Sequence, residues 1–283
     1  MNKIKIIADS TCDLSAELIE KYNISTVPLC IVMNDKSYYD GEDVTPDEIF
    51  KWADENKTTP KTAAISFDKA EEIIKPFMEK GYDIIFFGIS SEMSTTCNVA
   101  RITATQNDYD RMFVIDSRNL STGIGLQVIR AAELANEGKT AEEIVSEIEM
   151  LTSKVKASFV VDTLTYLARG GRCNSVTALM ANTLKLHPLI SVKYGKMGVS
   201  KKYMGKIDVA LSKYTQDIKE ELLAADSRRV FITHSGCKQE TIDKVYSFLK
   251  ELNYFEEIHI TRAGGVISSH CGPNTLGILY YEK

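Results

Sequence analysis

Apolar positions along the chain fall into two patterns. The runs "KIKIIAD", "YDIIFFGIS" and "RMFVIDS" are short, almost unbroken and followed by small polar residues, which predicts strands buried on both faces of a parallel sheet. Helix signals lie between and around them. "TPDEIF" offers Thr45 as N-cap, Pro46 at the first helical position and Glu48 three residues after the cap, and "TAEEIV" repeats the capping box with Thr140 and Glu143. "DLSAELIEKY", "SFDKAEEIIKPFMEKG" and "STTCNVARITATQ" add further helices. Residues 1–155 thus read as an open, mostly parallel α/β domain in which strands and helices alternate.

Residues 156–283 read as a second α/β domain. "KASFVVD" opens it as a strand, and "HPLISVKYGKMGVSKK" forms a hairpin around Tyr194-Gly195, which makes a mixed sheet the expectation. Ile207, Leu211, Tyr214, Ile218 and Leu222 are spaced four, three, four and four, giving one apolar helical stripe. The strand "RRVFITHSG", the helix "ETIDKVYSFLKELN" and the strands "FEEIHITRAGG" and "TLGILYYEK" follow.

The chain has 283 residues, enough for two cores of ordinary size. Its formal charge of −5 argues against a nucleic-acid surface, which needs clustered Lys and Arg. The apolar run in "MNKIKIIADS" is too short for a signal peptide or a membrane span, so a cytoplasmic protein without stable membrane insertion is expected. Cys12, Cys30, Cys97, Cys173, Cys237 and Cys271 are widely separated, with no C-x-x-C pair. Neither a metal site nor a disulfide framework is signalled.

In an open α/β sheet, ligands sit beyond the carboxyl ends of the strands. Hydroxyl-rich stretches fall there: Asp9 to Asp13, Ile89 to Asn98 and Asp116 to Gly125, together with Pro60 to Ser66 entering a helix. The glycine patterns that cradle nucleotides are absent, so no nucleotide cofactor is expected. Taken singly, Ser66, Ser94 and Thr95 read first as helix N-caps, but four such loops on one edge shift the reading toward a site for a carboxylate or phosphate. In "ARGGRCNS", Arg169 and Arg172 flank two glycines. These suit either an anion site or a helix C-cap with Gly170 in the left-handed region.

"VISSHCGPNTLGIL" places His270 among small residues beside the chain-reversal signal Gly272-Pro273-Asn274. It reads as a structural turn residue or as the ionisable end of a binding site. Pairing with Cys271 for nucleophilic catalysis is disfavoured, because neighbours in an extended segment face opposite ways.

In order along the chain, "ADSTCDL", "PKTAAIS", "ISSEMSTTCNVA", "VIDSRNLSTGIG", "YLARGGR" and "GGVISSHCGPNTLGI" resemble the motif set of the DegV family of bacterial fatty-acid-binding proteins. The resemblance implies two α/β domains with one long-chain fatty acid, such as palmitate, stearate or oleate, in a tunnel between them. It also implies a role in lipid transport or fatty acid metabolism, with some members acting as the non-enzymatic acyl-carrying subunit of a fatty acid kinase. By motif, Thr62 and Ser94 match the hydroxyls that bond the carboxyl, and His270 the histidine behind it. Arg169 and Arg172 match "RGGR", and with Ser91, Thr95 and Ser117 they are candidates for the surrounding anion site. Glu92, Met93 and Thr95 depart from a loop that is glycine-rich in many members, and "MGKID" replaces a basic Arg-Gly-Arg-Lys-Lys run that would bear on kinase docking. The competing readings are a hydrolase or acyltransferase using His270 and a cysteine, and a lipid-responsive sensor.

Overall fold

The computed structural model describes residues 3–173, 175 and 186–283. Asn174 of the "ARGGRCNS" stretch lies outside them. The open parallel sheet has the order β2-β1-β6-β7, from β1 (Ile4–Asp9), β2 (Ser25–Val27), β6 (Asp83–Gly88) and β7 (Met112–Asp116). In β6 the consecutive Ile84, Ile85, Phe86 and Phe87 are fully buried, as the unbroken run requires of a strand covered on both faces. Helices α1 (Ala16–Lys21), α3 (Phe67–Glu79) and α4 (Thr96–Gln106) accompany it, and α5 (Thr122–Asn136) and α6 (Ala141–Thr152) close this part.

The mixed sheet has the order β10-β9-β8-β13-β11-β12, all antiparallel except the pair β11/β12. Its strands are β8 (Val155–Val160), β9 (Leu186–Lys193), β10 (Lys196–Met204), β11 (Ala225–Ser235), β12 (Glu257–Arg262) and β13 (Thr275–Glu282). Tyr194 and Gly195 join β9 to β10 with φ of 51° and 81°, the two left-handed residues of a tight hairpin. The parallel pair is linked through α10 (Gln239–Glu251), while α7 (Thr165–Gly170) and α11 (Gly265–Cys271) pack against each other. Among the described residues no helix is long and apolar enough to cross a membrane.

Both capping boxes form. The Thr45 and Thr140 hydroxyls accept from the backbone of Glu48 and Glu143, whose carboxylates return the bond, opening α2 (Pro46–Asn56) and α6. Two expectations change. The first half is not purely alternating: β3 (Cys30–Met33), β4 (Lys36–Tyr39) and β5 (Lys61–Ala63) form a small antiparallel sheet, order β4-β3-β5. Three- and four-residue strands give periodicity too little length to register. The stripe from Ile207 to Leu222 is split at Ile218 into α8 (Ile207–Asp217) and α9 (Lys219–Leu223), with the apolar positions still facing one core.

Candidate functional site

Two elements far apart in sequence build the centre of the site. β5 pairs with β3 in the register Ile31 to Thr62, which fixes the threonine beside the fully buried Ile31. Helix α11 carries His270 in its last turn, and Thr62 Oγ1 lies 2.7 Å from His270 Nε2 across 208 residues of sequence. His270 therefore stands on a short helix, and the chain reversal begins only at Gly272, φ 74°. The first expectation failed because "VISSH" is too short, and too rich in serine, to signal a helix.

The opposite end of α11 is anchored by carboxylates. Gly264 N–H donates to Asp13 at 2.8 Å and Gly265 N–H to Asp40 at 2.7 Å. Asp13 also accepts from the Ser121 hydroxyl, and Asp40 from that of Ser10. Gly265 packs closely, since a Cβ there would lie 2.6 Å from the Ile31 side chain and 2.8 Å from that of Ile49. Asp9, fully buried, accepts from Ile89 N–H at 2.7 Å and from Thr11. Burial pushes the Asp9 carboxyl up to about 6, against the pull of those bonds, and raises Asp13 and Asp40 as well.

The Thr62–His270 pair opens into a cavity of about 490 Å³, a size ordinary for a small-molecule site. Much of its wall is apolar, including Leu29, Ile89, Met93, Leu120, Met197 and Ile267. Ser91, Ser94, Thr95 and Arg172 supply polar groups, together with Glu92. Ser94 Oγ lies 2.9 Å from Thr96 Oγ1 and accepts from Thr96 N–H. Thr95 is the N-cap residue of α4 without a side-chain bond, whereas Ser66 caps α3 as the structural reading expected. The hairpin tip closes on this loop through Ser90 Oγ to Gly195 O at 2.7 Å, with Lys196 3.3 Å from Glu92.

Arg172 bonds Gly170 O at 2.8 Å and Met93 O at 3.4 Å, bridging α7 to the serine loop. Arg169 is exposed and Ser117 fully buried, and neither lines the cavity. Ser117 serves the turn after β7 by accepting from Asn119 N–H. The left-handed C-cap of α7 is Gly171, φ 67°, and Gly170 is instead the last helical residue. Met93, Met197 and the other apolar wall residues carry no sequence signal separating them from the core.

Burial drives the His270 imidazole down to about 4, with the nearby Arg172 charge acting in the same direction, so the ring is neutral near pH 7. Cys271 lines the same cavity, but burial pushes its thiol up to about 12, the reverse of the electropositive setting a nucleophilic cysteine needs. Among the described residues no group of three or more His, Cys, Asp or Glu could hold a metal ion. A larger groove of about 1380 Å³ between β7 and the β8–β10 face shares no lining residue with this cavity. Lys156, Lys201, Asp217 and Glu221 place charges of both signs along the groove.

The model of the family described as "Uncharacterised protein, DegV family" matches residues 3–283. A DegV domain-containing protein of Clostridium perfringens is 38% identical over 283 residues, covering 100% of both chains. A DegV family protein of Thermus thermophilus described for fatty acid binding superposes with TM-score 0.90 at 28% identity, over 99% of this chain and 100% of that one. A Thermotoga maritima protein described as revealing fatty acid binding function gives TM-score 0.86 at 26% identity over 100% of both. A stearic acid-binding protein of Eubacterium ventriosum gives 0.84 at 25% identity, over 100% of this chain and 99% of that one. The α/β architecture, one open parallel sheet and one mixed sheet, is the fold of these structures, and the chain belongs to the DegV family.

Proposed function

We propose that this chain is a carrier for one long-chain fatty acid, held in the 490 Å³ cavity with its carboxyl on Thr62 and Ser94 and His270 behind it. The observation that carries this reading is the Thr62–His270 hydrogen bond opening into a largely apolar cavity. The fatty acid binding described for the Thermus, Thermotoga and Eubacterium relatives supports it. The chain divides near residue 155 into two domains with the ligand between them. In support, Leu29, Thr62 and Ser94 line the cavity from one side of that point and Arg172, Met197 and His270 from the other.

Burying ~14 methylenes at ~0.8 kcal/mol each gives about 11 kcal/mol as an upper limit, so the tail dominates affinity. Association and ordering costs reduce the net figure. The headgroup has the opposite requirement: a buried carboxylate must be hydrogen-bonded or paired, or several kcal/mol are lost. Hydroxyls, together with the Arg172 guanidinium, meet that requirement.

In this reading the protein is a cytoplasmic, non-enzymatic binding subunit in lipid transport or fatty acid metabolism. It presents the carboxyl to a kinase partner that makes the acyl-phosphate. Native mass spectrometry of the purified protein, followed by organic extraction, tests the carrier role, with one fatty acid per chain as the expected result. An empty protein that takes up no added palmitate or oleate overturns it. Acyl-phosphate formed only when an ATP-binding partner is added supports the kinase role, and failure with a partner active on other carriers removes it.

A further inference from the structure

His270 has a second ring nitrogen with an unusual neighbour. Nδ1 is buried and finds no hydrogen-bond partner among the described residues. Gly170, the last residue of α7, packs directly against it: a Cβ at residue 170 would lie 2.2 Å from Nδ1 and 3.0 Å from Cε1. Nδ1 thus faces carbon-bound hydrogen, and any side chain at residue 170 would displace the ring.

A neutral imidazole carries one proton, on one nitrogen or the other. On Nδ1 it would be a buried donor pressed against a methylene with nothing to accept it, the kind of orphan folded proteins rarely tolerate. On Nε2 it is satisfied at once by Thr62 Oγ1, 2.7 Å away, while the Nδ1 lone pair meets the glycine's C–H without conflict. Thr62 also has a single hydroxyl proton. If it accepts from Nε2–H, that proton is free for the cavity; if it donated to Nε2, only lone pairs would remain there.

We infer that Gly170 fixes His270 as the Nε2–H tautomer, turning the Thr62 hydroxyl into a hydrogen-bond donor toward the cavity, so that the site selects an ionised carboxylate over a neutral acid or amide. The choice of ligand class rests on the carrier reading above; the tautomer does not. The titratable and charged groups lining the cavity besides His270 are Glu92, Arg172 and Cys271, and of these Arg172 supplies the positive charge that suits an anion. Gly170 is a positioning residue: it touches the imidazole and acts on the ligand through His270 and Thr62. This gives the first glycine of "RGGR" a role that the arginines on either side do not explain.

The test is long-range proton–nitrogen NMR of protein labelled with nitrogen-15 in histidine, with His270 assigned by its loss in His270→Gln. Spectra are taken on ligand-stripped protein and again after adding palmitate labelled with carbon-13 at the carboxyl. The expected result is a protonated Nε2 and a bare Nδ1 in both states, with the bound carboxyl at its ionised shift from about pH 8 to about pH 6. A protonated Nδ1, or a bound carboxyl that is neutral at pH 7, overturns the inference. If palmitate does not bind at all, the carrier reading falls, while the tautomer in the stripped protein still decides the role of Gly170. Gly170→Ala is expected to shift both ring-nitrogen signals and to weaken palmitate retention at least tenfold. Should that variant not fold, Thr62→Ser retaining palmitate better than Thr62→Val reads the same hydroxyl, and equal loss in both counts against it.

Discussion

The two ends of α11 differ sharply in how their polar groups are satisfied. At its start, Asp13 and Asp40 each take one helix N–H and one serine hydroxyl, and nearby Asp9 is engaged by Thr11 and Ile89. At its finish, His270 holds Thr62 on one nitrogen, and its other nitrogen is bare among the described residues, with a cavity alongside. Polar groups that secure a fold are consumed by the protein, whereas those that serve a ligand keep bonding capacity for it. Buried carboxylates are therefore not by themselves a sign of chemistry here: they position the helix that delivers the histidine.

The strongest way to break this comparison is to remove an anchor. Asp13→Ala leaves Gly264 N–H and the Ser121 hydroxyl unpaired in a dry environment and should cost about 2–4 kcal/mol. Urea denaturation would show it as a lower midpoint at unchanged slope, and a loss below ~1 kcal/mol would mean the anchor is dispensable. At the other end, Thr62→Ala combined with Ser94→Ala should cost less stability than Asp13→Ala, about 1–2 kcal/mol for the freed His270 Nε2–H beside the cavity, while weakening fatty acid retention about 10- to 100-fold. A lipid-binding titration with unchanged affinity would remove the headgroup assignment.

The two ends should also respond to pH in opposite directions. Asp9 has a folded value of about 6, above the ordinary carboxyl range, so the folded state binds more protons and stability is lost as pH rises from ~4 through about 6. His270, at about 4, lies below its unfolded value of ~6.5, so its contribution is lost as pH falls across the same window. The two slopes, each at most ~1.4 kcal/mol per pH unit, oppose each other in the intact protein. Asp9→Asn should make stability more acid-sensitive than in the intact protein and His270→Gln more alkaline-sensitive, with the raised Asp13 and Asp40 retained in both. Parallel stability profiles for the two variants would refute the pairing.

The smallest expected effect sharpens the boundary of the site. Arg169 is exposed and away from the cavity, so Arg169→Ala should change stability by under ~0.5 kcal/mol and leave ligand retention alone. Arg172→Ala removes a cavity-lining charge and should weaken retention. Equal behaviour of the two arginines would erase the distinction drawn between them.

Local sequence carried much of the scaffold. The unbroken run at Ile84 to Phe87, the capping boxes at Thr45 and Thr140 and the Tyr194-Gly195 hairpin are all set by neighbours a few residues apart, where burial pattern and backbone chemistry act directly. Motif order pointed to Thr62, Ser94, Arg172 and His270, and all four line one cavity. It also pointed to Arg169 and Ser117, which do not, because a motif records that residues occur together and not which way each faces. The short antiparallel sheet, the helix under His270 and the packing of Gly170 on Nδ1 were settled only in three dimensions. Met93 and Met197 in a core and in a cavity wall are the same residues to a sequence. What separates them is whether the opposite side of the space is filled, and that depends on how distant elements pack.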